Sequence, residues 1–179
     1  MMKKLCDYFC NHRNLGLLVA AASAGALGFA YTMQYVFNKL PCHLCYEQRK
    51  PYMVIIALGL LAAVIAKAKP RVSFALLLLS GVALLVGTGI AGFHFGTEMK
   101  WWPLAAGCGG EGAIPDPNLT MEELMEYFKN RPIVRCDVPG WVFLGISMTG
   151  WNFLYTTGLA AFTFFHAIKG YLNARKTKT

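Results

Sequence analysis

The sequence predicts an all-α membrane protein: a four-helix transmembrane bundle with a short amphipathic helix in its second outer loop. Three observations lead there. Hydrophobic residues make up 56% of the 179, well above what an ordinary soluble domain carries. They collect in four uncharged stretches, Asn14 to Asn38, Pro51 to Ala66, Val72 to Thr97 and Val138 to Ile168. The basic residues lie mainly at the two ends and in the turn between the second and third stretches, which is the pattern of a chain threaded through a bilayer.

A helix needs about 20 residues to cross the hydrocarbon. Three stretches reach that length, and the second does so if Arg49, Lys50 and Lys67 extend their charged heads to the interfaces. The spans fall at about 15–37, 49–66, 72–94 and 142–168, with outer loops at about 38–48 and 95–141, in a single membrane domain over residues 1–179. The net charge of +8 would suggest a nucleic-acid partner in a soluble chain. Here Lys3, Lys4, Arg13, Lys67, Lys69, Arg71, Lys169, Arg175, Lys176 and Lys178 share the termini and one turn with Asp7 alone. Lys and Arg are retained on the cytoplasmic side, so both termini are expected inside, the partner is the lipid bilayer, and no nucleic acid is implied.

Taken in order, Cys6 and Cys10 form a weak pair in the polar lead, near His12, and read as membrane-surface residues rather than metal ligands. The first span follows a basic start and contains Ala-x-Ala patterns, as a signal peptide does, but the apolar run continues to Phe37 and reads as a retained span. Ala24 and Gly28 offer a smooth face for helix packing. Pro51 suits the first turn of the second span. The turn Ala66 to Pro70 permits only an antiparallel return. In the third span the Gly92/Gly96 pair suits close packing, or room for a flat ligand. In the large loop Thr120 and Glu123 make a capping box and Leu119 with Leu124 a hydrophobic staple. Met121, Leu124, Met125 and Phe128 recur at helical spacing, giving an amphipathic helix for the outer interface. The Asn118-Leu-Thr120 sequon reads as part of that helix cap. Trp101, Trp102 and Trp141 mark where the loop rejoins the bilayer.

The chemistry starts at Pro41-Cys-His-Leu-Cys-Tyr-Glu-Gln-Arg49. Cys42 and Cys45 are spaced to meet, and Arg49 shares a helical face with Cys45 if the helix begins near it; a nearby cation and a helix N-terminus favour the thiolate. Four of the six cysteines, Cys42, Cys45, Cys108 and Cys136, fall in outer loops, where disulfides persist. Three pairings are open to them; spacing favours Cys42 with Cys45 and Cys108 with Cys136. Cys-x-x-Cys alone fits redox exchange, a structural disulfide or zinc. A closed zinc site wants a second closely spaced pair, so no metal is expected. Two dithiols permit a relay by thiol–disulfide exchange, and a membrane quinone is the electron acceptor left after haem, flavin and iron–sulfur signatures are found wanting.

The chain resembles the bacterial disulfide bond formation protein B (DsbB) family, including its variants that serve one dedicated partner. The resemblance rests on Pro41-Cys-x-Leu-Cys-x-x-Gln-Arg49, on Gly92-Phe-His94-x-Gly-x-Glu98 with Trp101-Trp102 and Cys108, and on Cys136-Asp137-x-Pro139-x-Trp141-x-Phe-Leu-Gly145 with Gly150-Trp-Asn152. It implies a multi-pass protein of the bacterial inner membrane that reoxidises a periplasmic thioredoxin-like (DsbA-type) thiol oxidase and passes electrons to ubiquinone or menaquinone. It further implies that Cys108 accepts the partner's attack, Cys136 resolves, and Cys42/Cys45 reoxidise that pair. Cys45 then faces the quinone, Arg49 holds its ring oxygen, and His94 lies beside it. Gln48 orders the turn, and Glu47 reads as a solvated charge. Two rivals are a membrane scaffold with structural disulfides and a reductase like the vitamin K epoxide reductases.

Overall fold

The structure, a computed structural model, describes residues 8–103, 120–130 and 134–176, apart from the side chains of 124 and 127–130. Cys6, Cys108 and Leu119, and the staple contact to Leu124, lie outside that description. The described elements are α1 (His12–Tyr35), α2 (His43–Ile65), α3 (Pro70–Glu98), α4 (Met121–Asn130), a hairpin of β1 (Val142–Phe143) and β2 (Ile146–Ser147), and α5 (Met148–Lys176). Three helices, α1, α2 and α3, are long and apolar enough to cross a membrane. At 29 residues α5 has the length, but Asn152, Thr156, Thr157, Thr163 and His166 make it less apolar. Leu60, Leu61, Val64, Leu79, Val82, Leu85 and Phe165 point outward and are exposed, as side chains in contact with lipid tails would be. The chain is thus a mostly helical, multi-pass membrane protein.

Helix α2 packs between α1 and α3, and α3 between α2 and α5, while α1 and α5 touch sparsely. The seam between α1 and α5 is therefore open to a cavity. Leu15, Val19, Ile55, Leu77, Leu84 and Ala160 form the core along the axis. Close approach occurs where side chains vanish: a Cβ at Gly16 would lie 2.6 Å from the Gly59 carbonyl oxygen, and one at Gly59 2.8 Å from that of Gly16. The small-residue contact of α1 is thus Gly16/Ala20 on α2. Ala24 and Gly28 are exposed instead, and nothing lies within 4 Å of a Cβ at Gly28. On α3, Gly92 and Gly96 admit the rings of Phe153 and Trp102, which is packing of aromatics rather than of a second backbone.

Two boundaries differ from the sequence reading. Helix α2 starts at His43, with Cys42 as its extended N-cap (φ −76°, ψ 174°), so Pro51 is interior rather than in the first turn. A proline there frees the carbonyl four residues back, and its ring rests near Gly87, 3.5 Å from where a Cβ would stand. The last long helix starts at Met148. Residues 142–147 before it form an antiparallel hairpin, Val142 opposite Ser147 and Phe143 opposite Ile146. Leu144 (φ 52°) and Gly145 (φ 79°) make its two-residue turn, the positive-φ geometry that matches strand twist. Apolarity alone could not separate this hairpin from the helix it leads into.

At the other end of α3 the chain stops in a Schellman turn. Trp101 N–H bonds to the Gly96 carbonyl at 2.9 Å and Lys100 N–H to that of Thr97 at 3.1 Å, with Lys100 at φ 59°. This turn lays Trp102 on Phe93, ring centroids 5.5 Å apart. Ahead of α4, the Thr120 hydroxyl and N–H both donate to Glu123 Oε2, at 2.8 and 2.9 Å, and the Glu123 N–H returns a bond to Thr120 Oγ1 at 3.4 Å.

Candidate functional site: a dithiol at a cavity wall

The early start of α2 is what builds the site. Cys45, Gln48, Arg49 and Tyr52 stand at helical spacing on one face, and all four line a cavity of about 720 Å³ between α1 and α5. Cys42 reaches the same wall from the cap position. Its sulfur donates to that of Cys45 across 3.1 Å, far longer than the ~2.05 Å of a bonded pair; both are free thiols. The hydrogen bond to Cys45, aided by burial, pushes the Cys42 thiol up to about 12, and the neighbouring His94 opposes this only in part.

From α3, His94 is buried at 2% exposure. Its Nδ1 lies 2.7 Å from Gln48 Nε2 and its Nε2 3.5 Å from the Cys42 sulfur. A chain of hydrogen bonds sets its tautomer. The Tyr52 hydroxyl donates to Asn152 Oδ1 at 2.5 Å, and Asn152 Nδ2 donates to Gln48 Oε1 at 2.6 Å. With the amides so oriented Gln48 presents its NH2 to His94 Nδ1, which leaves the ring proton for Nε2, the nitrogen facing Cys42. Buried Glu98 closes the far side, receiving Thr149 Oγ1 on Oε1 at 2.8 Å and the Ser147 hydroxyl on Oε2.

Arg49 is buried to 8% exposure. Its guanidinium donates to Gln34 Oε1 at 2.6 Å and lies 4.9 Å from the Tyr31 ring centroid and 5.0 Å from that of Tyr46. Aromatic faces on two sides stabilise the cation where water is scarce. Gln34 uses one of five N–H groups, and the guanidinium is on the cavity wall. Opposite it, Ala22, Gly25, Ala26 and Ala30 of α1 supply a smooth apolar wall. Tyr155 bridges the seam below by donating to the Ala22 carbonyl at 3.0 Å. A space of this size, apolar with a few convergent donors, has the character of a small-molecule site.

Of the second-loop cysteines, Cys108 lies outside the described residues. Cys136 is fully buried and packs with Cys42 and Leu44, flanked by Cys45 and Val134. Its neighbours Arg135 and Asp137 form a two-pronged ion pair, 2.8 and 2.6 Å, which holds the Asp137 carboxyl below its ordinary range. The structure thus brings Cys42, Cys45, His94, Arg49 and Cys136 to one place. Glu47 meets Lys50 at 2.5 Å on the exposed side of α2. Cys10, away from this site, lies 3.7 Å from His166 Nδ1.

Ligand atoms of Cys42, Cys45 and His94 lie within 4.8 Å of one another, close enough to hold a soft cation in principle. Sequence reasoning missed Tyr52, Ser147, Thr149 and Gln34 as parts of the site. Tyr52 was within reach, standing at i+7 from Cys45 on the same face. The other three come from different helices or from the hairpin, and spacing carries no trace of them.

Comparison with known proteins places the chain in a family. Residues 12–166 match the family described as Disulfide bond formation protein DsbB. An uncharacterised protein of Rickettsia prowazekii is 30% identical over 151 residues, 84% of this chain and 85% of that one. Proteins called Disulfide bond formation protein B are similar too: that of Chromobacterium violaceum is 32% identical, covering 82% of this chain and 87% of its own. That of Hahella chejuensis is 28% identical, covering 84% and 90%. A match over nearly the whole chain, joined to a buried dithiol in a multi-pass helical membrane protein, has one conclusion: the chain belongs to the DsbB family of disulfide bond formation proteins.

Proposed function

We propose that the protein is a quinone-dependent thiol oxidoreductase of the bacterial inner membrane, a four-helix bundle of α1, α2, α3 and α5 with both termini cytoplasmic. It reoxidises a periplasmic DsbA-like thiol oxidase and delivers the electrons to ubiquinone or menaquinone. The observation that carries this reading is the two-sided setting of Cys42/Cys45, with Cys136 packed on one side and the cavity on the other. In this arrangement α4 belongs to the second periplasmic loop, at the outer interface.

In the reaction the partner's thiolate attacks Cys108 Sγ, the Cys108–Cys136 bond breaks, and Cys136 leaves as a thiolate. The partner's second thiolate resolves its mixed disulfide and releases Cys108. Cys136 then attacks Cys42 Sγ, breaking the Cys42–Cys45 bond and releasing Cys45 as a thiolate. Attack of Cys108 on Cys136 Sγ restores the loop disulfide and frees Cys42. Two electrons and two protons have passed from the partner to Cys42/Cys45. His94 Nε2–H faces the Cys42 sulfur and stabilises negative charge there as it leaves.

A quinone fits the lining residues: the small-residue wall of α1 accepts a flat ring, and Arg49 provides donors for a ring oxygen. When bound, it supplies the two-electron acceptor that the protein itself lacks. The test is anaerobic mixing of the purified protein with a reduced thioredoxin-like oxidase and either quinone, following quinone absorbance and thiol loss together. Two thiols should disappear for each quinone reduced. A scaffold with structural disulfides would give no turnover.

A further inference from the structure

The end of the bundle remote from the dithiol has a second recess, of about 650 Å³. It is formed where α1 and α3 begin and where α2 and α5 finish. Arg13, Lys67, Arg71 and Arg175 line it, one cation from each of α1, α3 and α5 and one just past α2. Among the described residues no carboxylate joins them. Glu47, Glu98, Glu122, Glu123, Glu126 and Asp137 all stand at the start of α2, at the end of α3 or between α3 and α5. No ion pair is found for any of the four cations among the described residues.

Two long helices also point their N-termini here: α1, with Asn11 capping the Arg13 N–H at 3.0 Å, and α3, with Pro70 at its first turn. Helix N-termini carry partial positive charge and favour anions. The floor is built rather than incidental. Buried His12 bonds the Ala167 carbonyl at 3.3 Å, its ring stacks on Phe74 at 5.9 Å, and Phe74 stacks on Tyr171 at 4.4 Å. Gly170 lets the Cys10 backbone pass where a Cβ would collide with it. Membrane topology accounts for the sign of charge on this side, but not for a concave site with four cations, two helix N-termini and, among the described residues, no acid.

We propose that this recess binds a phosphate-bearing anion, presented either by an anionic phospholipid headgroup or as free phosphate. Basic pockets between helices at a membrane face recognise such groups. The inference is independent of the thiol chemistry, since it uses none of the same residues.

The test uses the full chain in a nonionic detergent, titrated by thermophoresis with short-chain phosphatidylglycerol, short-chain phosphatidylcholine and inorganic phosphate. Two double variants carry the same charge change on the same side: Arg71→Gln/Arg175→Gln in the recess, and Lys69→Gln/Lys176→Gln outside it. Removing the two recess cations should weaken anion binding about 25-fold, from about fivefold per basic residue, while the outside pair changes it less than threefold. Phosphatidylglycerol binding well above phosphatidylcholine identifies the lipid source, and phosphate binding without that preference identifies the free anion. Equal losses in the two double variants, or no anion binding by the unaltered chain, would overturn the proposal.

Discussion

Replacing Asn152 by leucine should expose how the histidine is held. Asn152 accepts from Tyr52 at 2.5 Å and donates to Gln48 at 2.6 Å, and those partners are 5% and 8% exposed. Leucine keeps the volume and removes both bonds, leaving a hydroxyl and an amide oxygen without partners. A buried orphan of this kind costs about 2 kcal/mol, so Asn152→Leu should lose about 4 kcal/mol. Adding Tyr52→Phe removes one orphan, and the double variant should recover about 2 kcal/mol despite carrying more changes. The assay is reversible unfolding in mixed detergent–SDS micelles, followed by tryptophan fluorescence. A double variant no more stable than Asn152→Leu alone would refute the hydrogen-bond chain.

Other consequences are read by simpler means. Gly59→Ala puts a methyl group 2.8 Å from the Gly16 carbonyl and should destabilise the α1–α2 contact by about 1–3 kcal/mol, seen in the same unfolding assay. Arg49→Gln removes the charged donor from the cavity wall. Its loss should raise the KM for quinone about tenfold or more, as one charge-assisted bond of about 1.5–3 kcal/mol implies, with the thiol partner's KM unchanged. Thr120→Ala should shorten the lifetime of α4 amides in hydrogen exchange. The Thr120 bonds depress the Glu123 carboxyl, so their support of α4 is complete above the ordinary glutamate pKa. It fades as pH falls through the depressed value, and the protection factors of the α4 amides, taken against the intrinsic exchange rate at each pH, should fall at that point.

Much of the helical plan was legible because it follows from composition and charge, properties that local sequence carries in full. The motif Pro41 to Arg49 likewise announced the dithiol and its cation, since helical spacing fixes which residues share a face. What stayed hidden depended on elements meeting in space. Nothing near Cys136 in the sequence says that it packs on Cys42, and nothing near Gln48 points to Asn152. The smooth face of α1 was read as a packing surface around Ala24 and Gly28, whereas its close contact is at Gly16 and the neighbouring small residues line the cavity. Small side chains permit both uses, and only the placement of α5 decides between them. The hairpin at 142–147 was absorbed into an apolar run for a related reason: its turn is set by backbone angles at Leu144 and Gly145, and leucine does not advertise a positive φ.

In the proposed relay electrons cross between the loops at the contact of Cys136 with Cys42. Cys45→Ser removes the sulfur that would otherwise displace Cys136 from Cys42. Mild oxidation of this variant with a thiol partner that lacks its second cysteine, and so holds Cys108 in a mixed disulfide, followed by proteolysis and mass spectrometry under acid quench, reads the contact directly. A Cys42–Cys136 linked peptide should be the dominant species, with quinone reduction abolished. A dominant Cys42–Cys108 link, or quinone reduction at an undiminished rate, would contradict it.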